Sequence, residues 1–98
     1  MVKTIWKFSL HDKLEQADGY LVSTVDLPAS ADVLSTAVQQ GDVVIWASVD
    51  STASSQPKKT RRFAIVPTGG NVPNGGLSPR FLGTVLMQDG DVWHVFAL

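Results

Sequence analysis

Apolar and polar residues alternate with a period of two along most of the chain, and a helical period is almost absent. In TIWKFSL, Trp6, Phe8 and Leu10 fall on one side, with Lys7 and Ser9 on the other. YLVSTVDLP, from Tyr20 to Pro28, is β-branched and alternates. VLSTAVQQ follows, and GDVVIWASVD then carries an almost continuous apolar run from Val43 to Val49. RRFAIVP, FLGTVLMQ and VWHVFAL complete a set of about seven expected strands. ASADVLSTAV admits a short helix capped by Ser30. Val33, Thr36 and Val38 are poor helix formers, so the strand is the preferred reading.

Turn residues fall between these runs. Gln40-Gly41-Asp42 and Asp89-Gly90-Asp91 sit at hairpin spacing, joining the third strand to the fourth and the sixth to the seventh. Asp18-Gly19 is expected to close the loop after the first strand. Aspartates at such places bond their own backbone, so Asp89 and Asp91 read as turn formers rather than metal ligands. Two connections are longer. DSTASSQPKKT, from Asp50 to Thr60, reads as solvated and mobile. TGGNVPNGGLSPR, after Pro67, is rich in glycine. The two flank the fifth strand, so they should lie at opposite ends of it, roughly 20 Å apart.

The pattern predicts a single all-β domain spanning residues 1–98: a small antiparallel sandwich or partly closed barrel. Short antiparallel strands must hide their edges by closure, by packing, or by pairing between subunits, and a homo-oligomer, dimer or higher, is expected. Apolar residues make up 44 % of the chain, enough for a core without staples. Cysteine is absent, which removes disulfides and thiolate metal sites. Eight basic residues face nine acidic ones, and a net charge of −1 argues against general DNA or RNA binding. No segment approaches the ~18 apolar residues of a membrane span. MVKTIWKFSLHD reads as a strand rather than a signal peptide, and a cytoplasmic location is expected.

Signals for catalysis are thin. His11 reads as a surface residue in a polar turn. His94, in VWHVF, shares a face with Val92 and Phe96 and reads first as a core or interface residue. A hydrolase built on His94 would need a carboxylate or nucleophile nearby, and the sequence advertises none. No P-loop, dinucleotide fingerprint or zinc pattern occurs, so no cofactor or metal is expected. Signals for binding are better. Gly69 and Gly70 offer consecutive backbone N–H groups of the kind that cradle phosphate, with Thr68 adding a hydroxyl and Arg80 a forked cation. Trp46 or Trp93 would supply a stacking face. Arg61 and Arg62 belong to the one dense cationic run and would reach such a site from a neighbouring subunit.

Four stretches taken in order, IWKFSL, VDLPASADVLSTAVQQGDVVIWASVD, RRFAIVPTGG and RFLGTVLMQDGDVWHVF, carry a resemblance across nearly the whole chain. The chain resembles a family of short, uncharacterised phage proteins. Their pattern runs from an I-[WY]-K-[FY] strand through W-A-x-V-D and a G-T-G turn to a closing W-H-V-F. Pro67 stands where that family usually has glycine, and Phe81 where tyrosine is usual; either change bears on a pocket at that loop. The resemblance brings no activity with it. It implies a phage-encoded protein acting in the bacterial host cytoplasm during infection. The expectation that follows is a non-enzymatic binder of a small anionic ligand of nucleotide type, acting as a sponge for a host immune signal. The alternative is a protein-interaction module that blocks a host enzyme or serves as a virion or accessory component.

Overall fold

The structure is a computed structural model that describes residues 2–11, 13–73 and 79–98. Its strands are β1 (Lys3–Ser9), β2 (Leu14–Gln16), β3 (Leu21–Pro28), β4 (Asp32–Gln39), β5 (Asp42–Asp50), β6 (Lys58–Pro67), β7 (Arg80–Leu86) and β8 (Val92–Ala97). They form two antiparallel sheets, ordered β1-β5-β4 and β2-β3-β6-β8-β7. The sheets pack as an open sandwich. No barrel closes, although β4 and β7 approach closely: a Cβ added to Gly83 would lie 3.1 Å from Thr36 Cγ2. Among the described residues no helix is long and apolar enough to cross a membrane.

The alternation seen in the sequence fills the space between the sheets. Val43, Ile45 and Ala47 of β5 meet Leu27 of β3, Phe63 and Ile65 of β6, and Val95 and Ala97 of β8 in one buried cluster. The expected hairpins form. Gln40 and Gly41 both take positive φ, 52° and 82°, in the two-residue turn whose twist suits paired strands. Asp89 Oδ1 accepts from the Asp91 N–H at 2.9 Å, the local bond expected of an aspartate at a turn.

The strand, the preferred reading of ASADVLSTAV, forms as β4, and β-branched residues there face the core. Three local expectations need correcting. Asp18-Gly19 closes the β2–β3 hairpin, not a loop after β1, because Leu14–Gln16, Glu15 included, pairs with Leu21–Ser23. The 50–60 connection is anchored rather than loose. Ala53 is buried in a 3₁₀ turn (Ala53–Ser55), and Gln56 Oε1 accepts from the Ser30 N–H at 3.2 Å. His11 is more than a surface residue. Its Nε2 accepts from the Val43 N–H at 2.9 Å, which fixes the ring proton on Nδ1 and satisfies the backbone at the start of β5.

The glycine-rich stretch begins as a tight turn. The Gly70 N–H bonds the Pro67 carbonyl at 2.8 Å, and Gly69 sits third in the turn with φ of 90°, the geometry of type II. Gly70 then lies against the β2–β3 turn: an added Cβ would fall 2.7 Å from the Gly19 carbonyl oxygen and 3.0 Å from Pro67. Asn71 Nδ2 donates to the Asp18 carbonyl at 2.8 Å and pins the segment there.

Two stability outcomes follow from these contacts. Gly70→Ala overpacks a backbone-to-backbone approach and should cost about 1–3 kcal/mol, read as a fall of several degrees in a thermal melt; an unchanged melt would refute the close packing of the two turns. His11→Ala leaves the Val43 N–H without its acceptor and should lower stability by about 1 kcal/mol in urea titration. A wild-type midpoint would show that water replaces the imidazole without loss.

Candidate functional site

β6 and β8 are each two-faced. Phe63 and Ile65 of β6, and Val95 and Ala97 of β8, enter the core, so Ala64, Val66, His94 and Phe96 face outward. On this outer face His94 stands opposite Val66 on one side and Thr84 of β7 on the other. Thr68 Oγ1 lies 2.9 Å from His94 Nε2, and Thr84 Oγ1 lies 3.0 Å from Nδ1. A neutral imidazole has one N–H and one lone pair. One hydroxyl therefore accepts and the other donates. The row Thr68–His94–Thr84 ties β7, β8 and the turn after β6 together through side chains. General-base chemistry needs a lone pair aimed at a substrate and a group that orients the ring for it, most often a carboxylate. Here both nitrogens are engaged by hydroxyls.

Beside this row stands an aromatic pair. Phe81 of β7 and Phe96 of β8 are directly opposite in register, with ring centroids 5.3 Å apart and planes tilted by 57°. Phe81 is 54 % exposed. A cleft of about 270 Å³ opens here, lined by Val66, Val72, Phe81, His94, Phe96 and the Thr68–Gly70 turn. It is concave, mostly apolar and carries few polar groups, the usual make-up of a small-ligand site.

The structure brings some of the expected residues together and separates others. Thr68, Gly69, Gly70 and His94 share this cleft. The Gly70 N–H is already used in closing its turn, so the expected pair of amide donors is reduced to Gly69. Arg80 lies away from Thr68. It pairs with Ala97 at one end of β8, whereas the Thr68 N–H bonds the Val92 carbonyl at the other, about 16 Å along the strand. Trp46 pairs with Lys7 and Ser35 on the outer face of the other sheet, on the far side of the sandwich. Trp93 packs against the core and borders a separate cleft of about 470 Å³ at the sheet end, beside Thr68 and Asp91. Arg61 and Arg62 pair with Val25 and Thr24, toward the Arg80 end of the sheet. The two ends of β6 are distinct, as the strand length requires. Within one chain, then, the expected set of Thr68, Gly69, Gly70, Arg80 and a tryptophan is not one site.

Phe81, Phe96, Thr84 and Val72 were not among the expected residues. Phe96 was legible, because it shares a face with His94 by simple alternation. Phe81 was not. Counting back from the core residue Val85 in steps of two puts position 81 inward. A bulge between Phe81 and Gly83 shifts the register and turns the ring outward.

Among the described residues, no three His, Asp or Glu side chains converge as metal ligands do. No curated protein and no solved structure matches the chain. One family model, described as a domain of unknown function, DUF7352, matches residues 1–98. With the match running over its whole length, the chain belongs to the DUF7352 family.

Proposed function

We propose that this chain is a non-enzymatic binding protein whose working surface is the outer face of β6, β8 and β7. The observation that carries the reading is the Phe81–Phe96 pair, half open to solvent beside the cleft that His94 closes on one side. A space of about 270 Å³ suits a single flat ring, and stacking of a base on an aromatic side chain is worth about 1–3 kcal/mol. A histidine held by two threonines offers a fixed polar edge to such a ring without entering a proton relay. In this reading the ligand is small, anionic and of nucleotide type. The resemblance to phage proteins supplies the role: sequestration of a nucleotide-derived host immune signal in the host cytoplasm, an anti-defence function that needs no chemistry. Among the described residues the cleft is open on one side, so a second copy closing over it would complete the enclosure. That gives a homo-oligomer a purpose.

A second reading rests on a different observation. Leu86, outside the cleft, is 72 % exposed, so the apolar surface extends beyond it. A protein-interaction module would use that extension, with a partner's side chain seated at Phe81.

Thermal melts against nucleosides, nucleotides and cyclic nucleotides, with solution mass measured alongside, test the first reading. A compound at ~100 times its dissociation constant should stabilise by about 2.7 kcal/mol. Phe81→Ala should weaken its binding about tenfold while barely moving the melt of the free protein, because the ring is largely exposed. Equal affinity in that variant would remove the cleft from consideration. No binding across the panel, together with capture of a host protein that Leu86→Asp abolishes, would establish the interaction module instead.

A further inference from the structure

The five-stranded sheet is electrically polarised along its strands. One end holds the β2–β3 turn, the β7–β8 turn and the Thr68–Gly70 turn. Its described charged residues are Asp18, Asp89 and Asp91, with no lysine or arginine. The opposite end holds Lys58, Lys59, Arg61 and Arg62 at the start of β6 and Arg80 at the start of β7. Among the described residues of this sheet, one carboxylate, Asp26, lies at that end and accepts from Thr60 Oγ1 at 2.8 Å. Lys13 and Glu15 flank the middle of the sheet on its β2 edge. Near-neutrality of the whole chain hides this separation.

The polarity bears directly on where a charged ligand can place its anion. At the Thr68–Gly70 turn it would meet three carboxylates and a glycine N–H already bonded. At the other end it would meet an arginine on the same face as the aromatic pair. Ala64 is opposite Phe96, and Arg62 is the next residue on the same face of β6, about 7 Å away. Arg80 pairs with the core-facing Ala97 and so lies on the opposite face from Phe81. Arg62 is exposed, and its guanidinium is not ion-paired among the described residues. Arginine forks match the planar oxygens of phosphate and carboxylate.

We infer that Arg62 forms the anionic subsite of this face: a ligand whose ring rests on Phe81 and Phe96 directs its phosphate or carboxylate toward it, and away from the glycine turn. The inference rests on the binding reading above and adds a ligand class and a direction to it. The ligand is a ring joined to an anion by a short linker, lying along β8. It takes its charge contact from the same subunit, with no need of a neighbour's arginine.

Titrations with the four common ribonucleosides and their 5′-monophosphates separate the two levels. Backbone and arginine side-chain amide signals in two-dimensional NMR report the contacts. At least one monophosphate should bind about tenfold more tightly than its nucleoside. Both should shift Phe81, His94 and Phe96, and the monophosphate alone should shift Arg62. Arg62→Ala should erase that difference without changing nucleoside affinity, whereas Arg80→Ala and Asp91→Asn should leave it intact. Failure of all eight compounds to bind at millimolar concentration would overturn the binding reading and this inference with it. Nucleoside and monophosphate binding equally at the cleft would overturn the anionic subsite alone. So would an increment that survives Arg62→Ala, or one whose shifts centre on Thr68 and Gly69.

Discussion

The organisation of this small sandwich turns on β6, which is buried on both faces. Phe63 and Ile65 enter the core between the sheets, while Ala64 and Val66 are equally inaccessible on the outside. An outer-facing apolar pair at the middle of a sheet cannot stay in water without cost, and no third layer of secondary structure is present among the described residues to cover it. The chain meets this demand with an irregular segment. After Pro67 it turns sharply at Gly69 and meets the β2–β3 turn at Gly70. Asn71 holds it there, and Val72 and the buried Pro73 follow. Gly70 is therefore required by close packing, and Gly69 by its positive φ. The cleft is what remains uncovered, among the described residues, between this segment and the strands β8 and β7.

The sheets themselves were legible because each strand obeys one period and each hairpin carries its own turn chemistry. Gln40-Gly41 and Asp89-Gly90 name their turns locally, and runs such as VWHVFA name their faces. The expected all-β sandwich is the fold observed. Strand order was not legible. β8 inserts between β6 and β7, a pairing between segments distant along the chain, and hydrophobic alternation carries no information about which edge a strand joins. β2 escaped notice for a related reason. LEQ is three residues long with all of them exposed, and it is a strand only because β3 offers it an edge.

The site was legible in part, and its gaps have structural causes. His94 and Thr68 were identifiable from residue type, and the fold places them within hydrogen-bonding distance. Phe81 was hidden by a single inserted residue in β7. The same device in β4, between Val33 and Ser35, moves the inward set from odd to even positions. The charges were misassigned for a different reason. Proximity in sequence put Arg80 at the end of the glycine loop, and the strand crossing carried it to the far end of the sheet. Composition reports a net charge and is silent about a dipole of charge laid out along five strands.

The Thr68–His94–Thr84 row has one property that most histidine sites lack. Where a ring nitrogen faces a carboxylate or a backbone amide, the partner dictates which nitrogen carries the proton, as Val43 dictates it for His11. A hydroxyl gives or takes a hydrogen bond with equal ease. Both tautomers of His94 are therefore fully satisfied by the same heavy-atom positions, and they interconvert by moving protons and rotating two O–H bonds. The imidazole dipole can point toward either end of its row without any rearrangement of packing. A surface of this kind is rigid in shape and reversible in polarity. It can offer one guest a donor and another an acceptor from a single fixed frame.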